Sequence, residues 1–375
     1  MPLHRLPTLL LEPSTTLTEN LKKLHDRLLE TVPGVDRIAC VLYDDSTDTL
    51  KTFINSTRRG VAITAYEYKL ADSQALSHLA ASGEFRVIDN IAASLGSDTA
   101  HTQWLREQGY LSSFTVPLYD SGKLLGFVFF DSLQAGAFNT LVQRDLVLFT
   151  NLISMTIAGE VAALRTMLET ARVARELAEV RDFETGAHLE RMSRIARMIA
   201  KEVAPSHGKD DEFVESVYLF SPLHDIGKIG IPDNILLKPG RLNPKERAIM
   251  ETHVEKGMRI IDRIVGEPPH QRLPDSPILR NIVHCHHEYL NGTGYPRKLK
   301  GEQIPLEARI VTVADIFDAL AAPRPYKEMW TVQDAMDELD KMVQAGKLDS
   351  TCVQALHKQQ DEVFAILQQF VDETP

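Results

Sequence analysis

Residues 224–257 read HDIGKIGIPDNILLKPGRLNPKERAIMETHVEKG, a run that begins with a histidine–aspartate pair and holds another histidine near its end. Leu219, Leu223 and Ile226 have the spacing of a buried helix face, which predicts that the pair lies at the edge of that face. A carboxylate beside an imidazole can bridge two metal ions while the imidazole binds one. The stretch therefore predicts a helical metal site.

The second half of the stretch predicts where a helix begins. Asn243, Pro244 and Glu246 are typical of an N-cap, a proline at the first helical position and a capping-box partner. His253 follows ten residues after Asn243. The stretch therefore predicts a helix start ten residues before this histidine.

Other segments carry imidazoles and carboxylates at suitable spacings. Glu184 and His188 are four residues apart, so they share one face of a predicted helix. His286 and His287 end a predicted helix before a glycine-rich loop. Asp315 lies in an otherwise apolar helix, where a carboxylate is costly unless something pairs with it. The candidate ligands are Glu184, His188, His224, Asp225, His253, His286, His287 and Asp315.

This set of candidate ligands contains no cysteine. Imidazoles and carboxylates suit iron, manganese, cobalt, nickel or zinc, and they do not suit a thiolate-type structural zinc site. Eight ligands are too many for one ion, so at least two ions are expected. Paired ions ~3.5–4 Å apart suit an in-line displacement at phosphorus.

Several other histidines, cysteines and carboxylates have simpler interpretations than metal binding. His25 and Asp26 repeat the dipeptide without a partner motif, and we expect them to face solvent. His284 and Cys285 are expected to pack in the core. Glu288 and Asp318 are expected to support the ligands or lie on a helix surface rather than bind a metal.

Residues 1–155 predict a separate α/β domain. Leu17, Leu21, Leu24 and Leu28 fall on one helix face, and Thr16 is a candidate cap for that helix. Two alternating strands on either side of residues 120–123 predict a hairpin.

Residues 156–182 predict a connecting helix. A coiled-coil seam along Leu164, Leu168 and Ala171 would join two chains there. An amphipathic helix packed on its own domain is the alternative. From Arg181 onward the sequence predicts only helices and loops.

Composition limits the partners of the chain. Lysine and arginine total 41 against 52 aspartates and glutamates, a net charge of −11, so no nucleic-acid polymer is expected as a partner. Three separated cysteines exclude a disulfide scaffold and favour the cytoplasm. The most apolar window, 146–158, is shorter than the ~20 residues that a membrane helix needs, so no membrane insertion is expected.

Residues 181 to about 330 resemble an HD-GYP domain, the cyclic di-GMP phosphodiesterase branch of the HD superfamily. The opening stretch carries this resemblance together with HHEYLNGTGYP (286–296), LKGEQIPLEARIVTVADIFDAL (299–320) and RPYK (324–327). The resemblance implies two or three divalent transition-metal ions, iron before manganese, on the eight candidate ligands, with Glu184 serving a third ion.

The same resemblance implies roles around the substrate. Asp225 would be catalytic, and Lys228 would contact the scissile phosphate. Tyr295 would shape the pocket, while Arg324 and Lys327 would bind substrate phosphates. The sequence AAPRPYK departs from the common pattern, so Pro323 could change how the Arg324 loop approaches.

Residues 15–160 resemble a GAF domain, a small-ligand sensor, through their element order and through SSFTVPLYDSGKLLGFVFFDS (112–132). The expected fold is thus multidomain: an α/β GAF-like sensor (1–155), a connecting helix (156–182) and an all-α HD-GYP domain (183–375). A homodimer through the sensor and the helix is expected, with a sensor ligand that the sequence does not identify.

The predicted function is metal-dependent hydrolysis of cyclic di-GMP to pGpG and then to GMP, regulated by the sensor domain. Two alternatives stay open. One is a catalytically silent or ligand-gated receptor for cyclic di-GMP, and the other is a phosphodiesterase for another cyclic dinucleotide.

Overall fold

The computed structural model describes residues 16–94, 100–176, 186–265, 276–321 and 330–371, and within α5 it describes side chains up to residue 159. The chain divides into two compact units, Met1–Ala163 and Leu164–Pro375. The finer boundaries predicted from the sequence stay predictions.

The first unit mixes helices and strands, and its last helix continues beyond it. In chain order its elements are α1 (Leu17–Thr31), β1 (Arg37–Asp44), β2 (Thr49–Thr57), β3 (Glu67–Lys69), α2 (Gln74–Ser82), β4 (Arg86–Ile88), α3 (Ile91–Ser94), α4 (Ala100–Glu107), β5 (Ser112–Asp120), β6 (Lys123–Ser132) and α5 (Thr140–Glu176).

The strands form one six-stranded sheet in the order β3-β2-β1-β6-β5-β4, and every neighbouring pair is antiparallel. The hairpin predicted around residues 120–123 is confirmed as the β5–β6 pair. Side chains alternate across the sheet, so each strand presents two different faces.

One face of the sheet forms the main core of this unit. Ile38, Phe114, Val128 and Phe130 lie there with the leucines of α1 and with Leu146 of α5. The predicted cap of α1 is confirmed, since the Thr16 hydroxyl accepts a hydrogen bond from the Glu19 amide at 3.2 Å. The helix therefore begins where its sequence predicts.

The expectation that His25 faces solvent is wrong. Its side chain is fully buried. Its Nδ1 lies 2.8 Å from the Ser56 hydroxyl, and its Nε2 lies 2.9 Å from the carbonyl oxygen of Val35. The imidazole joins α1 to β2 and to the loop before β1, and these long-range partners are invisible in the local sequence. Asp26 is exposed, as predicted.

The apolar part of α5 is longer than the window predicted from the sequence. Among the described residues, Thr140–Gly159 is long and apolar enough to span a membrane by length and composition alone. Only 22% of that segment is buried, although Leu146, Ile153 and Ile157 lie in the core of the first unit. Packing of these three residues in the core is what is expected of a core helix in a folded domain.

The second unit is helical in its described part. Its helices are α6 (Gly186–Val203), α7 (Asp211–Phe220), α8 (Asp233–Leu236), α9 (Pro244–Glu251), α10 (His253–Val265), α11 (Ser276–Cys285), α12 (Leu306–Ala321), α13 (Val332–Gln344), α14 (Ser350–Lys358) and α15 (Gln360–Gln369). The prediction of an α/β unit followed by a helical unit is confirmed.

Two predictions from local sequence patterns had different outcomes in this unit. The predicted box is confirmed at α9, where Asn243 caps the amides of Lys245 and Glu246. The predicted helix through His224 and Asp225 is wrong, because α7 ends at Phe220. Two short 3₁₀ turns, Ser221–Leu223 and Ile226–Gly230, enclose the dipeptide instead.

Candidate metal centre

Seven of the eight predicted ligands lie in the described part of the chain and converge in two groups. They come from α6, from the turn after α7, from the start of α10, from the turn after α11 and from α12. Within each group, one candidate ligand atom per residue lies within 4.8 Å of every other. The first ligand group is Asp225, His253, His286 and His287, and the second is His188, His224 and Asp315.

The imidazoles are oriented by hydrogen bonds at their outer nitrogens. Nδ1 of His224 lies 2.8 Å from the Ser221 carbonyl oxygen, and Nδ1 of His253 lies 2.8 Å from that of Met250. His286 repeats the pattern on Ile282 at 3.0 Å. Because these nitrogens donate to carbonyl oxygens, the lone pair of each ring sits on Nε2, the nitrogen that a metal would bind.

The Nε2 atoms face the two carboxylates. Nε2 of His253 and His286 lie 3.0 and 3.5 Å from Oδ1 of Asp225. Nε2 of His224 lies 3.3 Å from the other oxygen of Asp225 and 3.8 Å from Oδ1 of Asp315. Asp225 thus has one oxygen toward each ligand group.

These separations fit metal ligation. Two ligand atoms that are each about 2.1 Å from one ion lie about 3–3.5 Å apart. Within the described residues, Nε2 of His253, Nε2 of His286 and Oδ1 of Asp225 are buried and make no hydrogen bond. Buried polar atoms are normally satisfied. A cation between them would satisfy all three, so the donor set fits a metal.

The protonation states agree with this interpretation. Burial lowers the pKa of His286, and burial together with the neighbouring His286 holds the pKa of His287 well below its usual value. Burial opposes ionisation of Asp225, but Lys228 and His224 outweigh it and hold the pKa of that carboxyl well below its usual range. Neutral imidazoles and an ionised carboxylate are the forms that bind metals.

The Asp318 carboxylate contacts the outer nitrogen of one predicted ligand, His188. This carboxylate lies 2.7 Å from Nδ1 of His188 and accepts hydrogen bonds from Nε and Nη2 of Arg191 at 2.7 and 3.0 Å. Arg191 also donates to the carbonyl oxygen of Phe370 at 2.9 Å. A carboxylate on the outer nitrogen fixes the ring and raises its basicity toward a metal.

A glycine lets the Asp225 turn pack against α10. A β-carbon on Gly227 would lie 1.8 Å from the carbonyl oxygen of His253 and 2.4 Å from the Gly257 amide nitrogen. No other residue fits there without moving the backbone. This close approach brings Asp225 and His253 of the first ligand group together.

The loop after His287 closes the site. Gly294 packs so tightly that a β-carbon would lie 2.4 Å from the His287 carbonyl oxygen. The Tyr295 ring lies 4.7 Å from the His287 ring, centroid to centroid. Glu288 is buried and accepts hydrogen bonds from the amides of Arg297 and Leu299 at 2.6 and 3.0 Å, which fixes the return of the loop.

Several predictions lie outside the described residues. These are the ligand role of Glu184, the contacts of Arg324 and Lys327, and the effect of Pro323. Sequence reasoning also missed Arg191. A signal existed, since Arg191 follows His188 by three residues as Asp318 follows Asp315, and each pair shares a helix face.

The two units correspond to two known domain classes. Residues 17–159 match the family model of the GAF domain, and residues 172–352 match that of the HD domain. The chain is therefore a two-domain protein that combines a GAF domain with an HD domain, and the predicted fold class is confirmed.

Curated relatives carry enzyme names. A cyclic di-GMP phosphodiesterase of Thermotoga maritima is 40% identical over 55% of this chain and 53% of its own length. The cyclic di-GMP phosphodiesterase response regulator RpfG of Xanthomonas campestris pv. campestris is 43% identical over 53% of this chain and 50% of its own length. The 3′3′-cGAMP-specific phosphodiesterase 2 of Vibrio cholerae is 40% identical over 50% of this chain and 34% of its own length. The chain thus spans about half or less of these relatives.

Proposed function

We propose that this chain is a metal-dependent phosphodiesterase that opens cyclic di-GMP to pGpG and then cleaves pGpG to GMP. The observation that carries the proposal is Asp225, which has one oxygen toward each ligand group. A shared carboxylate between two metal sites suits phosphodiester hydrolysis by paired ions. The names of the relatives supply the substrate class.

The ligand groups would each hold one divalent ion. Imidazole and carboxylate donors suit both iron and manganese, and we take iron as the first candidate and manganese as the next. When bound, such a pair supplies a hydroxide nucleophile and neutralises charge on the phosphoryl oxygens. Glu184, shortly before α6, is proposed as the ligand of a third ion. Four of the seven described ligands are buried, which limits contact between the site and bulk water.

Other side chains would bind and orient the substrate. Nζ of Lys228 lies 2.7 Å from Asp225, and the Lys228 side chain is one-fifth exposed, so it can place a positive charge beside a phosphoryl oxygen. Burial raises the pKa of Tyr295, so its hydroxyl keeps its proton and can donate to the substrate. Arg324 and Lys327 are proposed to bind the substrate phosphates.

A second substrate is supported by three Vibrio cholerae relatives, which are named as 3′3′-cGAMP-specific phosphodiesterases. Competition between the two cyclic dinucleotides tests the assignment. The full chain, loaded with iron, receives equal amounts of both, and the products are separated by chromatography. We expect cyclic di-GMP to disappear about tenfold faster or more, with pGpG appearing before GMP. Faster loss of 3′3′-cGAMP would overturn the substrate assignment, and loss of neither would overturn the proposed activity.

We further propose that the chain is a cytoplasmic homodimer whose GAF domain regulates hydrolysis. Its cysteines are free and buried, which suits a reducing compartment. Leu141, Leu148, Leu152 and Met155 of α5 are 42–74% exposed. Their spacing of seven, four and three residues puts them on one helix face, and exposed apolar faces of this kind mark interaction surfaces.

Charge on this face is expected to separate the two chains. The double variant Leu148→Glu and Met155→Glu would bury like charges in the interface, so it should sediment as a monomer where the wild-type chain sediments as a dimer. Val61→Glu is the matched control, because Val61 is 70% exposed in the same unit but lies outside α5. A wild-type monomer at micromolar concentration, or a double variant that stays dimeric, would contradict the interface.

A further inference from the structure

We propose that the cavity of the first unit binds a small organic anion with a flat apolar body, and that Arg86 and Arg37 recognise its negative group. The cavity has a volume of about 250 Å³. At ~30 Å³ per water molecule it holds about eight waters, which is room for one small ring compound. This proposal concerns binding and does not depend on the proposed hydrolysis.

The cavity lies over the second face of the sheet. Arg37 and Val41 of β1 line it, whereas their neighbours Ile38 and Cys40 point into the main core. The alternation of side chains along the strand produces this division. Residues of α2 and α4 complete the wall. The described walls of the cavity are thus the sheet and the helices α2 and α4.

Arg37 and Arg86 line this cavity, and the one carboxylate beside them among the described residues is that of Asp131. Arg37 is 2% exposed and donates a hydrogen bond from Nη1 to Asp131, its cross-strand neighbour on β6. The Ser113 hydroxyl donates to the other oxygen of Asp131 at 2.7 Å. The hydrogen-bonding capacity of Asp131 is therefore largely used by these two partners.

Arg86 lacks such a partner. In the described residues its guanidinium makes no hydrogen bond or ion pair, and its Nε atom is buried. Asp131 attracts it only at longer range, and burial lowers the pKa of the Arg86 guanidinium. Among the described residues that line the cavity there is no aspartate or glutamate. One positive charge is therefore left uncompensated in a largely apolar enclosure, which is costly unless an anion binds.

The rest of the wall suits a flat apolar body. The His101 ring lies 6.0 Å from the Tyr66 ring and 5.7 Å from the Phe129 ring. Burial, with Arg37 nearby, lowers the pKa of His101 to about 4, so this ring is neutral at physiological pH. A planar ligand could stack on these rings while its carboxylate or phosphate meets the arginine fork.

Tryptophan fluorescence can report binding in the full chain. The chain has two tryptophans. The guanidinium of Arg37 lies 4.7 Å from the Trp104 ring centroid, so Trp104 senses the cavity. The variant Trp330→Phe leaves Trp104 as the single reporter. The probes are benzoate, phenyl phosphate and the neutral analogue benzamide, the first two differing in the anionic group.

We expect benzoate or phenyl phosphate to change Trp104 fluorescence saturably, and benzamide to bind at least about tenfold more weakly. Whichever anion binds more tightly identifies the preferred group. In the Trp330→Phe chain, the further substitution Arg86→Gln should weaken anion binding by about tenfold or more. Arg59 is an exposed arginine of the same unit, and Arg59→Gln should leave anion binding unchanged.

Three results would overturn the proposal. One is equal affinity for benzamide and the anions. Another is unchanged anion binding in a folded Arg86→Gln variant. The third is a lack of saturable response to either anion. The benzamide comparison uses no substitution in the cavity, so the proposal stays testable even if Arg86→Gln fails to fold.

Discussion

Replacing Asp225 with asparagine is expected to lower the turnover of cyclic di-GMP by about three orders of magnitude or more. The two oxygens of Asp225 face different ligand groups, so the neutral amide removes a shared anionic ligand. A loss of ~4 kcal/mol in transition-state stabilisation corresponds to about a thousandfold in rate. Metal content per chain should fall in the same variant.

The matched control is Asp340→Asn. Asp340 also pairs with a histidine of the second unit, at 3.1 Å from Nε2 of His357, but it belongs to neither ligand group. Turnover and metal content are measured on all three proteins after circular dichroism has shown that they fold. Normal turnover by a folded, metal-loaded Asp225→Asn chain would refute the central role of this carboxylate.

Replacing Asp318 with asparagine is expected to lower metal affinity or activity by about 10- to 100-fold, because the change frees the His188 ring that the carboxylate orients. It also leaves Arg191, 2% exposed, without its anionic partner. Breaking a buried ion pair typically costs about 3–5 kcal/mol of folding free energy. Both metal binding and stability should therefore decrease.

Asp349→Asn separates these two effects. Asp349 is a buried carboxylate of the same unit that lies 2.7 Å from Nη1 of Arg309, remote from the ligand groups in its contacts. That variant should lose stability and keep its metals. Titration with metal, alongside thermal unfolding, checks both variants. Equal metal affinity of Asp318→Asn and wild type would show that Asp318 is only structural.

The sequence predicted those features that local patterns determine. The Asn243 box depends on residues within one turn, and the β5–β6 hairpin depends on alternation around a short turn, so both were predictable. The ligand types also followed from the sequence, because imidazoles and carboxylates are recognisable one by one. Their convergence in two groups required the fold.

Features that depend on distant contacts were harder to predict. The His25 imidazole is buried because Ser56 and Val35 meet it from other elements. The helix expected through His224 ends early, and the turn that replaces it packs through Gly227 on α10. The Arg191–Asp318 pair joins α6 to α12, and only tertiary packing brings them together.

The most direct test of the central claim counts metals and products on one anaerobically purified sample of the full chain. Elemental analysis gives iron and manganese per chain, and chromatography follows cyclic di-GMP. The two ligand groups predict at least two ions per chain, with a third if Glu184 binds one, and conversion to pGpG and then GMP. A full complement of metal with cyclic di-GMP bound but uncleaved would contradict the proposed enzyme and support a receptor.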